Sequence, residues 1–253
     1  MHNQRKIKNM KHLLSILIIG NLILSVNAQT ANEIMQKIDD NMSSDNRIVE
    51  SSMTIHSRRN SRTITSVSYT IGIEKSFTEY LSPAREKGTK MLKLDDRLWT
   101  YYPSNDRIVQ ISGHMLRQSV MGSDLSYEDM MDDRKLSDTY SAVIESTVEL
   151  EGRKVFVLKL SAKVDDVAYH SRKLWVDAEY FLPHKEELYA KSGQLLKRTT
   201  LSNFKKIEGR WYPMKLNFKD VLKQGKGTDW EIISIEFNGD IPEYLFTKAA
   251  LKQ

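Results

Sequence analysis

The 253-residue chain contains no cysteine. It therefore has no disulfide framework, no thiol to accept a lipid anchor and no thiolate for catalysis or metal binding. Histidine is almost as scarce. Beyond residue 28 there are His56, His114, His170 and His184, none three or four positions from another, so metal-ligand spacing is lacking. The Gly-x-Ser-x-Gly elbow of hydrolases is absent. The one Ser-x-x-Lys pattern, Ser202 to Lys205, falls on or beside an expected strand. The acidic run Asp124, Glu128, Asp129, Asp132 and Asp133 lacks the glycine-centred spacing of a calcium loop. No glycine-rich loop follows a strand and opens a helix to cradle phosphate. These absences argue against an enzyme, and no cofactor or metal is expected.

A cationic surplus is also missing once the N-terminal region is set aside. Arg5, Lys6, Lys8 and Lys11 precede an apolar run from Leu13 to Val26, which ends in Val26-Asn27-Ala28. This is the pattern of an export signal cleaved after Ala28, and the run is short and punctuated for a retained membrane span. The expected organisation is a signal peptide over 1–28 and one domain over 29–253, periplasmic and not membrane-anchored. Of the 38 basic residues the leader holds four, leaving 34 against 33 acidic ones, a net of about +1. Nucleic-acid binding loses its electrostatic basis. The local patch Arg58-Arg59-Asn60-Ser61-Arg62 reads as a polar hairpin tip.

What is present is periodicity. Thr30-Ala31-Asn32-Glu33 matches a capping box, and Ile34, Ile38 and Met42 follow at four-residue spacing, predicting an amphipathic helix over 31–43. From there the period is two. In Thr65 to Glu74, Val67, Tyr69, Ile71 and Ile73 alternate with small or polar residues. Similar runs fall near 49–57, 77–81, 89–94, 97–102 and 107–111. After an interruption they resume near 142–150, 154–162, 169–177, 184–190, 195–203, 211–220 and 228–237. About a dozen antiparallel strands in one piece imply a large curved sheet or barrel, because open sheets rarely exceed ~10 strands without curling. The fold class is mainly β with a few helices (α+β). The interruption, 112–140, carries Met115, Met121, Met130 and Met131, and reads as short helices that plug or cover one end.

The run Tyr80-Leu81-Ser82-Pro83-Ala84-Arg85-Glu86-Lys87-Gly88-Thr89-Lys90-Met91-Leu92 opens a recognisable series. It continues through Leu98-Trp99-Thr100-Tyr101-Tyr102-Pro103-Ser104, Gly122-Ser123-Asp124-Leu125-Ser126-Tyr127-Glu128-Asp129 and Leu174-Trp175-Val176-Asp177. Trp211-Tyr212-Pro213-Met214 and Ile241-Pro242-Glu243-Tyr244-Leu245-Phe246-Thr247 complete it. The order and spacing resemble the outer-membrane lipoprotein-sorting protein family, relatives of the periplasmic carrier LolA. That resemblance implies a half-open antiparallel β-barrel whose helices act as a lid or plug over an apolar cavity. It also implies that acyl chains of a lipid or lipoprotein are the cargo. The donor would be an inner-membrane transporter of the ABC or RND type, and an outer-membrane protein would be the acceptor.

On this basis Val67, Tyr69, Ile71, Leu92, Leu94, Trp99, Tyr101, Phe156, Leu158, Leu160 and Trp175 are expected on the lipid-binding wall, with Met115, Leu116 and Met121 on the lid. Alternation says which of them share a face and leaves open which face is concave. Two rival roles remain: a protein-docking or sensor subunit of an envelope lipid-export system, and, with less support, an envelope hydrolase.

Overall fold

The computed structural model describes residues 29–57 and 60–253. The expected export signal, together with Arg58 and Arg59 of the basic patch, lies outside them. The first element is helix α1, Ala31–Met42. Its start is set by the expected capping box: Glu33 N–H donates to Thr30 Oγ1 at 3.2 Å, and Thr30 N–H donates to the Glu33 carboxylate at 2.8 Å. Ile34, Met35 and Ile38 form its buried stripe.

Thirteen strands follow. The first six are β1 Asn46–His56, β2 Ser61–Ile71, β3 Lys75–Ser82, β4 Lys90–Leu94, β5 Arg97–Tyr102 and β6 Arg107–Ile111. The interruption then contributes 3-10 turns at Gly113–Arg117 and Val120–Gly122, and short helices α2 Tyr127–Met131 and α3 Leu136–Thr139. The remaining strands are β7 Tyr140–Leu150, β8 Arg153–Ala162, β9 Ser171–Asp177, β10 Pro183–Tyr189, β11 Leu195–Ile207, β12 Arg210–Asp220 and β13 Gly227–Phe237. Two 3-10 turns, Glu243–Phe246 and Ala250–Lys252, end the chain.

All thirteen strands form one antiparallel sheet, ordered β6-β5-β4-β3-β2-β1-β13-β12-β11-β10-β9-β8-β7. Pairing of β1 with β13 joins a half built from β1–β6 to a half built from β7–β13. The sheet does not close, since β6 and β7 are both edges. It nevertheless curls: Met91 of β4 and Leu188 of β10, far apart in strand order, line one cavity. Mainly β, single and half-open, the fold has the predicted class.

The two faces of the sheet are covered differently. On the inner face, α1 packs Ile34, Met35 and Ile38 against Phe156, Leu158, Leu160, Leu174 and Val176. Also on this face, the segment between β6 and β7 packs Val120, Leu125 and Tyr127 against Met53, Ile64, Tyr80, Met91 and Leu98. On the outer face of the first half, Phe77, Leu92 and Trp99 lie beneath Ile241, Phe246, Ala250 and Leu251.

Candidate functional site

The inner face is not filled. Two adjoining cavities lie between it and its covering segments, one of ≈ 360 Å³ and one of ≈ 1030 Å³. Both fall near the roughly 300–1,000 Å³ usual for ligand pockets. The smaller is walled by Val49, Met91, Leu98, Leu188, Phe218, Trp230 and Ile232, with Leu125 and Met130 contributed by the covering segment. The larger runs past the C-terminal end of α1 (Ile38, Met42) and the β2–β3 hairpin (Ile71, Gly72, Ile73) to Leu136, Leu174 and Leu201.

Space is left because the inward residues that follow Ile64 in β2 and precede Tyr80 in β3 are small. Ser68, Thr70, Ser76 and Thr78 all line the smaller cavity. In a small barrel, inward side chains of ordinary size would fill the interior themselves. The hydroxyls of Ser68 and Thr78 satisfy each other, 2.9 Å apart.

Between the cavities runs a belt of charge. Arg47, Asp132, Asp133, Arg172 and Glu186 line both. Arg47 meets Asp133 at 2.6 Å, and the Lys93 ammonium meets Asp133 at 3.1 Å. Lys93 also donates to the carbonyls of Ile73 and Met131, each at 2.6 Å. Arg172 pairs with Glu186 at 3.1 Å and lies 3.6 Å from Asp132. Burial disfavours the Arg47 cation, but the adjacent Asp133 carboxylate outweighs it and raises the guanidinium pKa. Burial likewise works against the Arg172 cation, and Glu186, Tyr140 and Asp132 together reverse it.

Besides its apolar packing, the covering segment is held to the wall by polar contacts. In α2, Asp129 pairs with Lys197 of β11 and accepts from the Tyr169 hydroxyl at 2.5 Å. Burial alone would raise its pKa. The Lys197 ammonium, the Tyr169 hydroxyl and the Ser126 N–H together hold it below the usual carboxylate range. Asp124 accepts from Asp220 N–H at 2.9 Å and from the Thr228 hydroxyl at 3.0 Å. Asp39 of α1 caps α3, accepting from Leu136 and Ser137 N–H at 2.8 and 3.0 Å.

The residues expected on the lipid wall divide into three groups. Tyr69, Ile71, Leu92, Leu94, Trp99 and Tyr101 belong to the outer-face cluster under residues 241–251; Ile71, at a strand end, also borders the larger cavity. Val67 shares that outer face, opposite Glu50 and Glu79. Trp175 is on the outer face too, with the Lys185 and Lys173 ammonium groups over its ring at 4.2 and 5.4 Å. Phe156, Leu158 and Leu160 do face inward, but α1 packs directly on them. Met115, Leu116 and Met121 pack around the inner-face cluster at one end and border neither cavity.

The apolar side of β2–β5 is therefore the outside, because the C-terminal residues cover it. The cavity wall combines small hydroxyl residues with Val49, Phe218, Trp230 and Ile232, which the sequence reading did not single out. One signal was available: the polar positions Ser66, Ser68 and Thr70 carry no charge, whereas Glu79 and Lys75 alternate with the apolar residues of β3. Along the middle of these two strands the face open to water collects charge, whereas the enclosed one does not. Among the described residues, no group of three or more His, Asp or Glu side chains is arranged to hold a metal ion, and no helix is long and apolar enough to cross a membrane.

A family model described as uncharacterized protein matches residues 72–253. Among solved structures, a LolA superfamily protein of Nitrosomonas europaea is 26% identical, with a TM-score of 0.73 over 88% of this chain and 100% of that one. A Vibrio parahaemolyticus domain described as outer membrane lipoprotein-sorting is 24% identical, with a TM-score of 0.77 over 88% and 98%. A DUF1329 family protein of Desulfovibrio piger is 22% identical, with a TM-score of 0.78 over 87% and 97%. No curated protein sequence matches the chain.

Proposed function

The chain belongs to the family matched over residues 72–253, its fold is that of the LolA superfamily, and from that premise we propose that it shelters lipid acyl chains. In this proposal it is a periplasmic carrier that moves a lipid, or the anchor of a lipoprotein, toward the outer membrane. The observation that carries the proposal is the pair of adjoining cavities between the sheet and its covering segments. Burying one methylene is worth about 0.8 kcal/mol. A long acyl chain in water is therefore unfavourable by roughly ten kcal/mol, and carriage needs a dry place for it rather than a catalytic group. Val49, Leu98, Phe218, Trp230 and Ile232 supply apolar contact, and the serines and threonines of β2 and β3 supply room. An inner-membrane transporter as donor and an outer-membrane protein as acceptor fit the same proposal.

Native mass spectrometry of gently purified protein tests it. Carriage predicts a population heavier by the mass of a lipid, and extraction of the same sample names its class. Protein that is lipid-free when isolated, and that takes up no sixteen-carbon acyl probe afterwards, would rule carriage out.

A further inference from the structure

The two free edges of the sheet are managed differently. An unpaired edge offers a row of N–H and C=O groups to any passing strand, and proteins blunt such edges with short strands, lysine, proline or a bulge. The β6 edge is short, five residues. The β7 edge has eleven residues, Tyr140–Leu150, with neither lysine nor proline, and of these devices it carries a single bulge. Beyond Ala142, which packs against the α1 cluster, it is open to solvent, and Val143, Ile144, Val148 and Leu150 are 59%, 36%, 40% and 38% exposed.

The one irregularity of β7 gives it an unusual symmetry. A bulge at Glu145 shifts the register against β8 between Ile144 and Ser146. Val143 and Val148 consequently stand opposite Lys159 and Val155, on the outer face, while Ile144 and Thr147 stand opposite Leu158 and Phe156, on the inner face. Without the bulge, residues five apart would point to opposite faces. With it, the strand can pair with a second β7 about a two-fold axis through the bulge. Val143 then meets the partner's Val148, Ile144 meets the partner's Thr147, and Ala142 meets the partner's Glu149. Outer side chains meet outer ones throughout and inner meet inner. No two glutamates stand opposite each other, and Glu145 is already neutralised by Lys173 of its own chain at 2.6 Å.

We propose that β7 is a homodimerisation edge, pairing antiparallel with β7 of a second copy so that one sheet runs through both. The inference is independent of the carrier proposal. A contact one strand wide is small, so the dimer should be weak, with a micromolar dissociation constant.

Sedimentation velocity over a concentration series tests it. The wild type should pass from monomer to dimer. Val148→Lys faces the partner's Val143 twice by symmetry and should weaken association at least about tenfold. Adding Val143→Glu to that variant places opposite charges across both contacts and should restore it. Hydrogen exchange gives a second readout without substitution: amides of residues 141–150 should gain protection as concentration rises. A wild type that stays monomeric overturns the proposal, including one that instead takes a foreign extended peptide along β7. So does a Val148→Lys variant that dimerises like the wild type, or a double variant that recovers nothing.

Discussion

Ser68 and Phe77 occupy neighbouring strands and point to opposite faces, so substitutions there should separate binding from stability. Ser68 lines the smaller cavity, and Phe77, 2% exposed, lies under the C-terminal residues on the outside. Ser68→Leu adds roughly three carbons' worth of side chain to the vacancy. If a bound acyl chain loses three methylene contacts at about 0.8 kcal/mol each, affinity falls by about 2.4 kcal/mol, or roughly sixty-fold. The fold should barely notice. Losing the Ser68–Thr78 hydroxyl contact costs about 1 kcal/mol, and the buried leucine offsets much of it. Phe77→Ala should do the reverse, destabilising by about 3–5 kcal/mol while leaving the cavity wall intact. Urea unfolding and displacement of an apolar dye by a sixteen-carbon acyl probe measure the two quantities. Unchanged affinity in Ser68→Leu, or lost affinity in a still-folded Phe77→Ala, would refute this assignment of faces.

Asp129 makes the hold on α2 pH-dependent. Its carboxyl is held below the usual range, so its stabilising contribution is complete above the unfolded value of about 3.9 and disappears as pH falls through the lower folded value. Protection of residues 123–133 against hydrogen exchange, relative to the unfolded rate at the same pH, should therefore fall on acidification below about pH 4, and Asp129→Asn should show low protection already at neutral pH. Leu158→Ala, beneath α1 and fully buried, should cost about 2–5 kcal/mol in urea unfolding. Asp39→Ala removes the acceptor that caps α3 and should cost about 0.5–2 kcal/mol by the same measurement, with the largest increase in exchange at residues 136–139.

Local features of the fold were legible because their causes are local. Thr30 and Glu33 mark the start of α1, and the Ile34–Ile38–Met42 spacing carries it to Met42. Alternation locates the strands, with ends displaced by a few residues: β1 starts at Asn46, for instance, ahead of the Val49 where alternation becomes regular. The break after Ile111 is where the chain leaves the sheet to cover the inner face. The orientation of the faces was not legible, because its cause is distant. Residues 241–251 decide which side of β2–β5 is outside, and more than 140 positions separate them from Trp99. A period of two is symmetric between the faces, so hydrophobicity alone favoured the wrong side as cavity wall. The charge belt has the same origin, since Arg47 and Asp133 meet across 86 positions.

That belt also bears on how a covering segment could be both secure and removable. Buried ion pairs add little net stability over well-packed apolar residues, since desolvation offsets most of the attraction. They behave differently when the contact is broken. An apolar lid that lifts exposes greasy surface on both sides, at about 25 cal/mol per Å². Arg47, Lys93 and Lys197 parting from Asp133 and Asp129 instead regain hydration on both sides. A segment held by such pairs can be firmly placed when closed and comparatively inexpensive to lift. Of the segment's apolar contacts, those of Leu125 and Met130 border the cavity itself, and an entering acyl chain could take these over while Val120 and Tyr127 stay packed in the inner-face cluster. Sodium chloride should then quicken acyl uptake by screening the pairs, chiefly as they become exposed. Stopped-flow uptake rates that are flat with salt in the wild type, or as salt-sensitive in a variant carrying both Asp129→Asn and Asp133→Asn, would remove these ion pairs from any role in entry.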